Sequence, residues 1–157
     1  MKKQWVLAGI LASALGVSDA LAQHQTPNQQ PNTATAPTAP TGDLALGKVT
    51  LPRAVTADGK PLPAGTYEVK LTAQAAKPAV GTTETLERWV EFAQGGTVKG
   101  REVVSIVPQG EVKNVVKDPP PASGGAAKVQ MLKGNDYMRV WFNKGGNHYL
   151  IYFPVGA

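Results

Sequence analysis

The chain has 157 residues, a formal net charge of +5 and no cysteine. The absence of cysteine excludes a disulfide framework, a thiolate zinc site and a cysteine nucleophile. With 17 glycines, 13 prolines and 42% hydrophobic residues, the composition favours strands, turns and linkers around one modest core over long helices.

The first 22 residues have the three-part pattern of a bacterial secretory signal. Lys2 and Lys3 form a positive start, residues 5–17 are apolar, and 20–22 supply the small residues that a signal peptidase reads. The apolar run is shorter than the ~20 residues that span a bilayer, and no later stretch is apolar enough to do so. We expect cleavage after Ala22, no transmembrane span in the mature chain, and an exported protein that is periplasmic or extracellular.

Residues 23–43 are predicted to form a disordered tether that precedes a β-domain at 44–157. The tether is rich in Pro, Thr and Gln, and its residues 23–42 include no aliphatic side chain larger than Ala. Such a stretch cannot bury enough apolar surface to offset its chain entropy, so extended polyproline-like conformations are expected. Two interpretations remain open: a spacer that holds the domain away from an envelope surface, or a mature N-terminus without a role.

Beyond the tether, seven short apolar or alternating runs are separated by turn-forming residues, and no window has a sustained helical period. The pattern predicts an all-β domain, an antiparallel sandwich of about seven strands, with a small β-barrel as the alternative. Long loops are expected at 75–85 and 109–127, and the Pro- and Gly-rich second loop is expected to be mobile. The predicted strands are 46–51, 66–72, 86–93, 98–107, 128–132, 137–143 and 148–153.

The segment 58–69, with the sequence DGKPLPAGTYEV, shows how one strand is entered. Asp58-Gly59 turns the chain, and the alternation of Tyr67 with Val69 points both side chains towards a core. The segment resembles a phrase found in secreted β-sandwich modules of the carboxypeptidase-regulatory, transthyretin-like and Ig-like kinds. That resemblance implies a seven-stranded sandwich used for binding, spacing or display rather than for catalysis.

The pair Gly95-Gly96 predicts a hairpin whose register depends on the length of its loop. A two-residue loop sets Phe92 opposite Lys99, whereas a three-residue loop that includes Gln94 sets Phe92 opposite Val98. The longer loop sorts apolar and polar side chains onto separate faces, so it is the register that we predict. It also pairs Glu91 with Lys99, Trp89 with Arg101, Val90 with Gly100 and Leu86 with Val104.

The same register leaves Arg88 opposite Glu102 on the apolar face. Charged side chains on such a face are typical of an open sheet edge. We therefore expect an edge at this hairpin, where a second copy of the chain could pair to form a dimer.

A second glycine pair, Gly145-Gly146, predicts the C-terminal hairpin. One face of this hairpin is wholly apolar or aromatic and is predicted to be core, whereas the other is amphipathic. The core face pairs Phe142 with Tyr149, Val140 with Ile151 and Met138 with Phe153. The amphipathic face pairs Trp141 with Leu150, Arg139 with Tyr152 and Asn143 with His148.

Catalytic groups are sparse. The predicted domain has one histidine, His148, and two serines, Ser105 and Ser123, neither of which has the surroundings of a nucleophile. Its carboxylates are dispersed, there is no phosphate-binding glycine motif, and basic and acidic residues alternate without a basic block. We predict a protein that is not an enzyme and that needs no metal, cofactor or nucleic acid.

The amphipathic face is the candidate binding surface, for a partner protein, a glycan or another envelope component. The alternative is that a second sheet or the 109–127 loop covers it. A carrier of a small apolar ligand in a barrel cavity is a second hypothesis, and a carbohydrate-active enzyme using His148, Glu91 and Glu102 as acid–base residues is a third. The candidate binding residues are Trp141, Arg139, Tyr152, His148, Trp89 and Arg101.

Overall fold

The computed structural model describes residues 39–76 and 86–156. The predicted signal sequence, the tether up to residue 38 and residues 77–85 of the first long loop lie outside the described residues. Within them the chain forms nine strands and one helical turn. These are β1 Leu44–Leu51, β2 Val55–Ala57, β3 Lys60–Leu62, β4 Gly65–Ala75, β5 Leu86–Gln94, β6 Thr97–Pro108, α1 Val112–Val115, β7 Lys128–Met131, β8 Tyr137–Lys144 and β9 Asn147–Pro154.

Seven of the strands form one antiparallel sheet in the order β1-β4-β5-β6-β9-β8-β7, and β2 and β3 form a separate two-stranded ribbon. The large sheet curls into a half-barrel. Its ends approach each other where the Lys144 Nζ donates a hydrogen bond to the Ala45 carbonyl oxygen over 2.6 Å. The all-β class and all seven predicted strands are confirmed, whereas the sandwich is not.

The concave, inner face of the sheet holds the core. Strand β4 shows why: Tyr67, Val69 and Leu71 alternate with exposed residues, and all three are buried. Phe92 lies between two other rings at its centre, with centroids 6.3 Å from Tyr67 and 5.2 Å from Phe153. The predicted core face of the C-terminal hairpin, from Met138 to Phe142 and from Tyr149 to Phe153, is buried here as expected.

The β2–β3 ribbon packs against β6 at Gly100. A Cβ added at Gly100 would lie 3.2 Å from Leu62 Cδ1 and 3.5 Å from Ala57 Cβ, so the missing side chain is what admits the ribbon. The two strands are joined by the predicted turn at Asp58-Gly59, whose residues have φ of 47° and 73°. This conformation suits a two-residue hairpin turn.

The predicted register of β5 and β6 is wrong. The loop has only two residues, because Gly95 and Gly96 both adopt positive φ, of 59° and 78°, and Gln94 pairs with Thr97. A bulge then adds one residue, Lys99, so that Phe92 lies opposite Gly100. Past the bulge the other predicted pairs are displaced too: Val90 lies opposite Glu102, Glu91 opposite Arg101, Trp89 opposite Val103, and Leu86 opposite Ile106.

The open edge predicted at Arg88 and Glu102 is also wrong. Arg88 lies opposite Val104, and β5 and β6 are internal strands flanked by β4 and β9. Glu102 is half-buried on an internal strand, and one of its carboxylate oxygens accepts the Asp58 backbone N–H over 2.9 Å. The first and last strands of the sheet are β1 and β7.

The register of the C-terminal hairpin is confirmed at every predicted pair. Strands β8 and β9 are joined by the two-residue turn Gly145-Gly146, with φ of 60° and 80°. Strand β9 also pairs with β6, where Val104 lies opposite Ile151. The hairpin is therefore continuous with the middle of the sheet, and its amphipathic face forms part of the convex, outer face of the half-barrel.

Candidate binding surface

Residues 109–127, called the strap below, cross the outer face of β8 and β9. The strap includes the helical turn α1, whose Val112 is buried together with Val116. Both valines pack with Trp141 and Leu150 in an apolar cluster that is distinct from the inner core. The amphipathic face is therefore covered by the 109–127 segment, as one of the sequence-based alternatives had it.

The second half of the strap is fastened by polar contacts. The Asn143 side-chain Nδ2 donates to the Pro121 carbonyl over 3.0 Å, and the Asn143 backbone carbonyl accepts the Gly124 N–H over 2.7 Å. Lys128 Nζ donates to the Pro119 carbonyl over 2.7 Å. These bonds anchor the Pro- and Gly-rich part of the strap to β7 and β8, whereas the sequence predicted a mobile loop there.

His148 lies beneath the first half of the strap and is fully buried. Its Nδ1 accepts a hydrogen bond from Trp141 Nε1 over 2.9 Å, and its Nε2 lies 2.8 Å from Gln109 Oε1. Because the indole N–H can only donate, Nδ1 is unprotonated, and the ring proton must be on Nε2, where it is donated to Gln109. Burial lowers the pKa of His148, which favours this neutral form.

Arg139 is also enclosed, with 6% of its surface exposed. Its Nη2 donates to the Asp118 carboxylate and, over 2.7 Å, to Gln130 Oε1. The guanidinium carbon lies 5.3 Å from the centroid of the Trp141 ring. Arg139 is therefore committed to internal contacts that join the strap, β7 and β8.

Three of the candidate binding residues reach solvent: Trp89, Tyr152 and Arg101. Trp89 lies opposite Val103. On the other side of Val103 lies Tyr152, because β6 and β9 are antiparallel and Val104 pairs with Ile151. Trp89, Val103 and Tyr152, called the aromatic row below, thus cross three central strands on the outer face, and each is half-buried. Two strand spacings place Trp89 about 10 Å from Tyr152.

Arg101 forms one border of the aromatic row. Its guanidinium carbon lies 4.3 Å from the centroid of the Trp89 ring, and its Nε donates to the Asp58 carboxylate over 2.7 Å. The ion pair with Asp58 holds the planar cation over one face of the indole. This arrangement leaves Trp89 in a fixed orientation on a rigid strand.

The three acid–base candidates are not brought together. Glu91 lies opposite Arg101 on β6, whereas His148 lies opposite Val107, six residues further along the same strand. At the rise of an extended strand this separation is about 20 Å. Glu102 is on the inner face of the sheet, where it accepts backbone N–H groups.

An open groove of about 550 Å³ lies on the outer face of β1, β4 and β5. Small side chains, including Ala45 and Ala93, form its floor. Ion pairs surround it: Lys48 lies 3.4 Å from Glu68, and Lys70 lies 3.4 Å from Glu91. The groove opens outwards and does not enter the core.

The residues that hold the strap on the sheet were not predicted from the sequence; they are Gln109, Val112, Val116 and Asp118. A usable signal was present, because two valines spaced four apart lie on one side of a helical turn. One helical turn is too short to give a sustained helical period, and the segment around it is rich in Pro and Gly.

Across the described ranges, no group of three or more His, Cys, Asp or Glu residues could hold a metal ion. In that same part of the chain, no helix has the length and apolarity needed to cross a membrane. Comparisons of the chain with protein-family models, curated proteins and solved structures find no match.

Proposed function

We propose that this chain is an exported, non-enzymatic binding protein whose β-domain holds a glycan of the cell envelope on the aromatic row. The observation that carries the proposal is the placement of two half-buried rings, Trp89 and Tyr152, about 10 Å apart on the outer face of the sheet, where Tyr152 borders the apolar cluster beneath the strap. A half-buried ring keeps an apolar surface available while its strand holds it in place.

The borders of the aromatic row suit a polar, ring-shaped ligand. Arg101 supplies donors beside Trp89, and Ser105 and Thr72 lie on neighbouring strands of the same outer face. Sugars present C–H faces that pack on aromatic rings and hydroxyls that bond to such groups. Small-ligand sites typically combine an apolar surface with a few polar groups that fix the orientation of the ligand.

A protein partner is less well supported. Among the described residues, the large hydrophobic side chains that are strongly exposed are Val98, Val115 and Tyr137, which do not adjoin the aromatic row. A stable protein interface buries at least about 1,000 Å² with an apolar centre. The short row bordered by charges is a better size for a small ligand.

The non-enzymatic part of the proposal is supported by the separation of the acid–base candidates. His148 is buried under the strap, and Glu91 is about 20 Å away along the sheet. General acid–base catalysis needs such groups within hydrogen-bond reach of the same substrate atoms.

The carrier hypothesis has less support, because the inner face of the half-barrel is filled. Phe92, Phe142, Phe153, Tyr149 and Met138 are all buried there in one cluster. A carrier needs an enclosed volume in which the ligand replaces side chains.

The test is binding of soluble envelope polysaccharide fragments, followed by calorimetry, with Trp89→Ala and Tyr152→Ala as the variants. Each is expected to weaken binding by about fivefold, since a stacking contact contributes on the order of 1 kcal/mol. Tyr137→Ala is the matched control, because Tyr137 is 49% exposed away from the row. The proposal fails if no fragment binds, or if the two row variants bind as well as the control.

A further inference from the structure

His148 occupies the point at which the strap, β8 and β9 meet. It connects Trp141, on the sheet, to Gln109, the first residue of the strap, through its two ring nitrogens. Both bonds require one particular neutral tautomer. The closure of the first half of the strap is therefore coupled to the protonation of one buried ring.

Protonation of His148 would break this arrangement. With a proton on Nδ1 as well, the imidazolium N–H would point at the Trp141 N–H, and two donors would face each other at 2.9 Å. The positive charge would also be buried, with Val107 as its facing residue on β6, and the valine side chain offers it no acceptor.

The charged groups around His148 do not compensate for such a charge. Arg139 and Lys128 both lie over the Trp141 ring, with the cation 5.3 and 5.7 Å from the ring centroid, and Asp118 is paired with Arg139. The facing position on β6 is Val107, and the β8 position opposite His148 is Asn143, so neither carries a charge. The other charged residues of the strap, which are Glu111, Lys113 and Lys117, are exposed.

The first half of the strap has few other attachments. Besides the Gln109 side chain, it is held by the bond from the Gln109 N–H to the Gly146 carbonyl, at 3.0 Å, and by the packing of Val112 and Val116. A helical turn of four residues adds little stability of its own. The polar anchors of residues 118–124 do not involve His148, so they can hold while the first half moves.

We propose that residues 109–116 form an acid-sensitive cover that detaches when His148 is protonated and exposes Trp141 and Leu150. Leu150 lies two residues from Tyr152 on the same face of β9, so the exposed surface is continuous with the aromatic row. Acid would then enlarge the contact surface. This consequence rests on the proposed function, whereas the detachment does not.

The direction of the pH dependence follows from the burial of the ring. Burial lowers the pKa of His148 below 6.5, its ordinary value, while an uncovered imidazole keeps that value. Below pH 6.5 the open form binds more protons than the closed form. The preference for the closed strap is therefore complete above pH 6.5 and is lost as pH falls through the lowered pKa.

The test is amide hydrogen exchange of the whole chain, without ligand, at pH 7.5 and pH 5.0, corrected for the intrinsic pH dependence of exchange. We expect protection of residues 109–116 to fall at least tenfold at the lower pH while β8 and β9 keep theirs. His148→Gln should abolish this dependence, since an amide does not titrate. His24→Gln, at the other histidine of the chain, and Asp118→Asn should both retain it.

A further variant keeps the proposal falsifiable if His148→Gln does not fold. Gln109→Glu places a carboxylate on Nε2, which raises the pKa of His148 in the closed form towards that of the uncovered ring, so the loss of protection at pH 5.0 should become smaller. Equal protection at both pH values in the native chain, or an unchanged response in His148→Gln, would overturn the proposal. Since no ligand is present, a failure of glycan binding leaves these outcomes unaffected.

Discussion

The outer face of the half-barrel has two halves that differ in what lies above them. Over β8 and β9 the outward-pointing Trp141, His148 and Leu150 are buried beneath the strap. Over β1 and β4 the outward-pointing side chains include Lys48 and Glu68, which form an exposed ion pair. The sheet is therefore covered on both faces at β8 and β9, but only on its inner face at β1 and β4.

The alternation of side chains specifies which residues point into the core, but not whether the opposite face is covered. In both halves, side chains point alternately into the inner core and outwards. The halves differ in the remaining positions, which include the large apolar Trp141 and Leu150 beneath the strap and the exposed, charged Lys48 and Glu68 over β1 and β4. At Leu150 the covering segment secures about 1.5–3 kcal/mol of burial that exposure of the side chain would forgo.

The largest expected effect contrasts the two tryptophans of the outer face. Trp141→Ala should lower the free energy of unfolding by about 3–5 kcal/mol, because it leaves a cavity beneath the strap and removes the donor to His148. Trp89→Ala should cost only about 1 kcal/mol, because Trp89 is half-buried. Urea unfolding of both variants measures the difference, and similar costs would contradict the account of the covered half.

An intermediate effect is expected at the strap itself. Val112→Ala should lower the free energy of unfolding by about 2 kcal/mol through the loss of buried methyl groups. Val115→Ala is the matched control, since Val115 belongs to the same helical turn but is 55% exposed. The control should change stability by less than about 0.5 kcal/mol. Equal effects in urea unfolding would mean that α1 does not pack on the sheet.

The smallest effect is expected in the open half. Lys48→Ala removes the ion pair with Glu68, whose side chains are 71% and 65% exposed. Exposed pairs of this kind are screened by solvent, so the free energy of unfolding should change by less than about 0.5 kcal/mol. A cost above 1 kcal/mol in urea unfolding would show that the open half depends on its charges.

The features that the sequence predicted are those encoded by neighbouring residues. Alternation located all seven strands, and the turn Gly145-Gly146 set the register of the C-terminal hairpin because φ above zero is required at both positions. Strands β2 and β3 were not predicted, because a strand of three residues has no readable period and β3 also contains Pro61.

The features that the sequence did not predict depend on contacts between distant residues. The bulge at Lys99 brings Gly100 beneath Leu62, and neither residue alone signals that meeting. The same holds for the candidate site. The amphipathic face was recognisable from its register, but its burial depends on Val112 and Val116 docking on a strand far along the chain.

The most direct measurement is acrylamide quenching of two single-tryptophan variants at pH 7.5, one retaining Trp141 and the other Trp89, with the remaining tryptophans, including Trp5, replaced by Phe. The account predicts that Trp141 emits at shorter wavelength and is quenched several-fold less than Trp89, because the strap covers the indole. Equal quenching of the two, with the fold intact by circular dichroism, would contradict it.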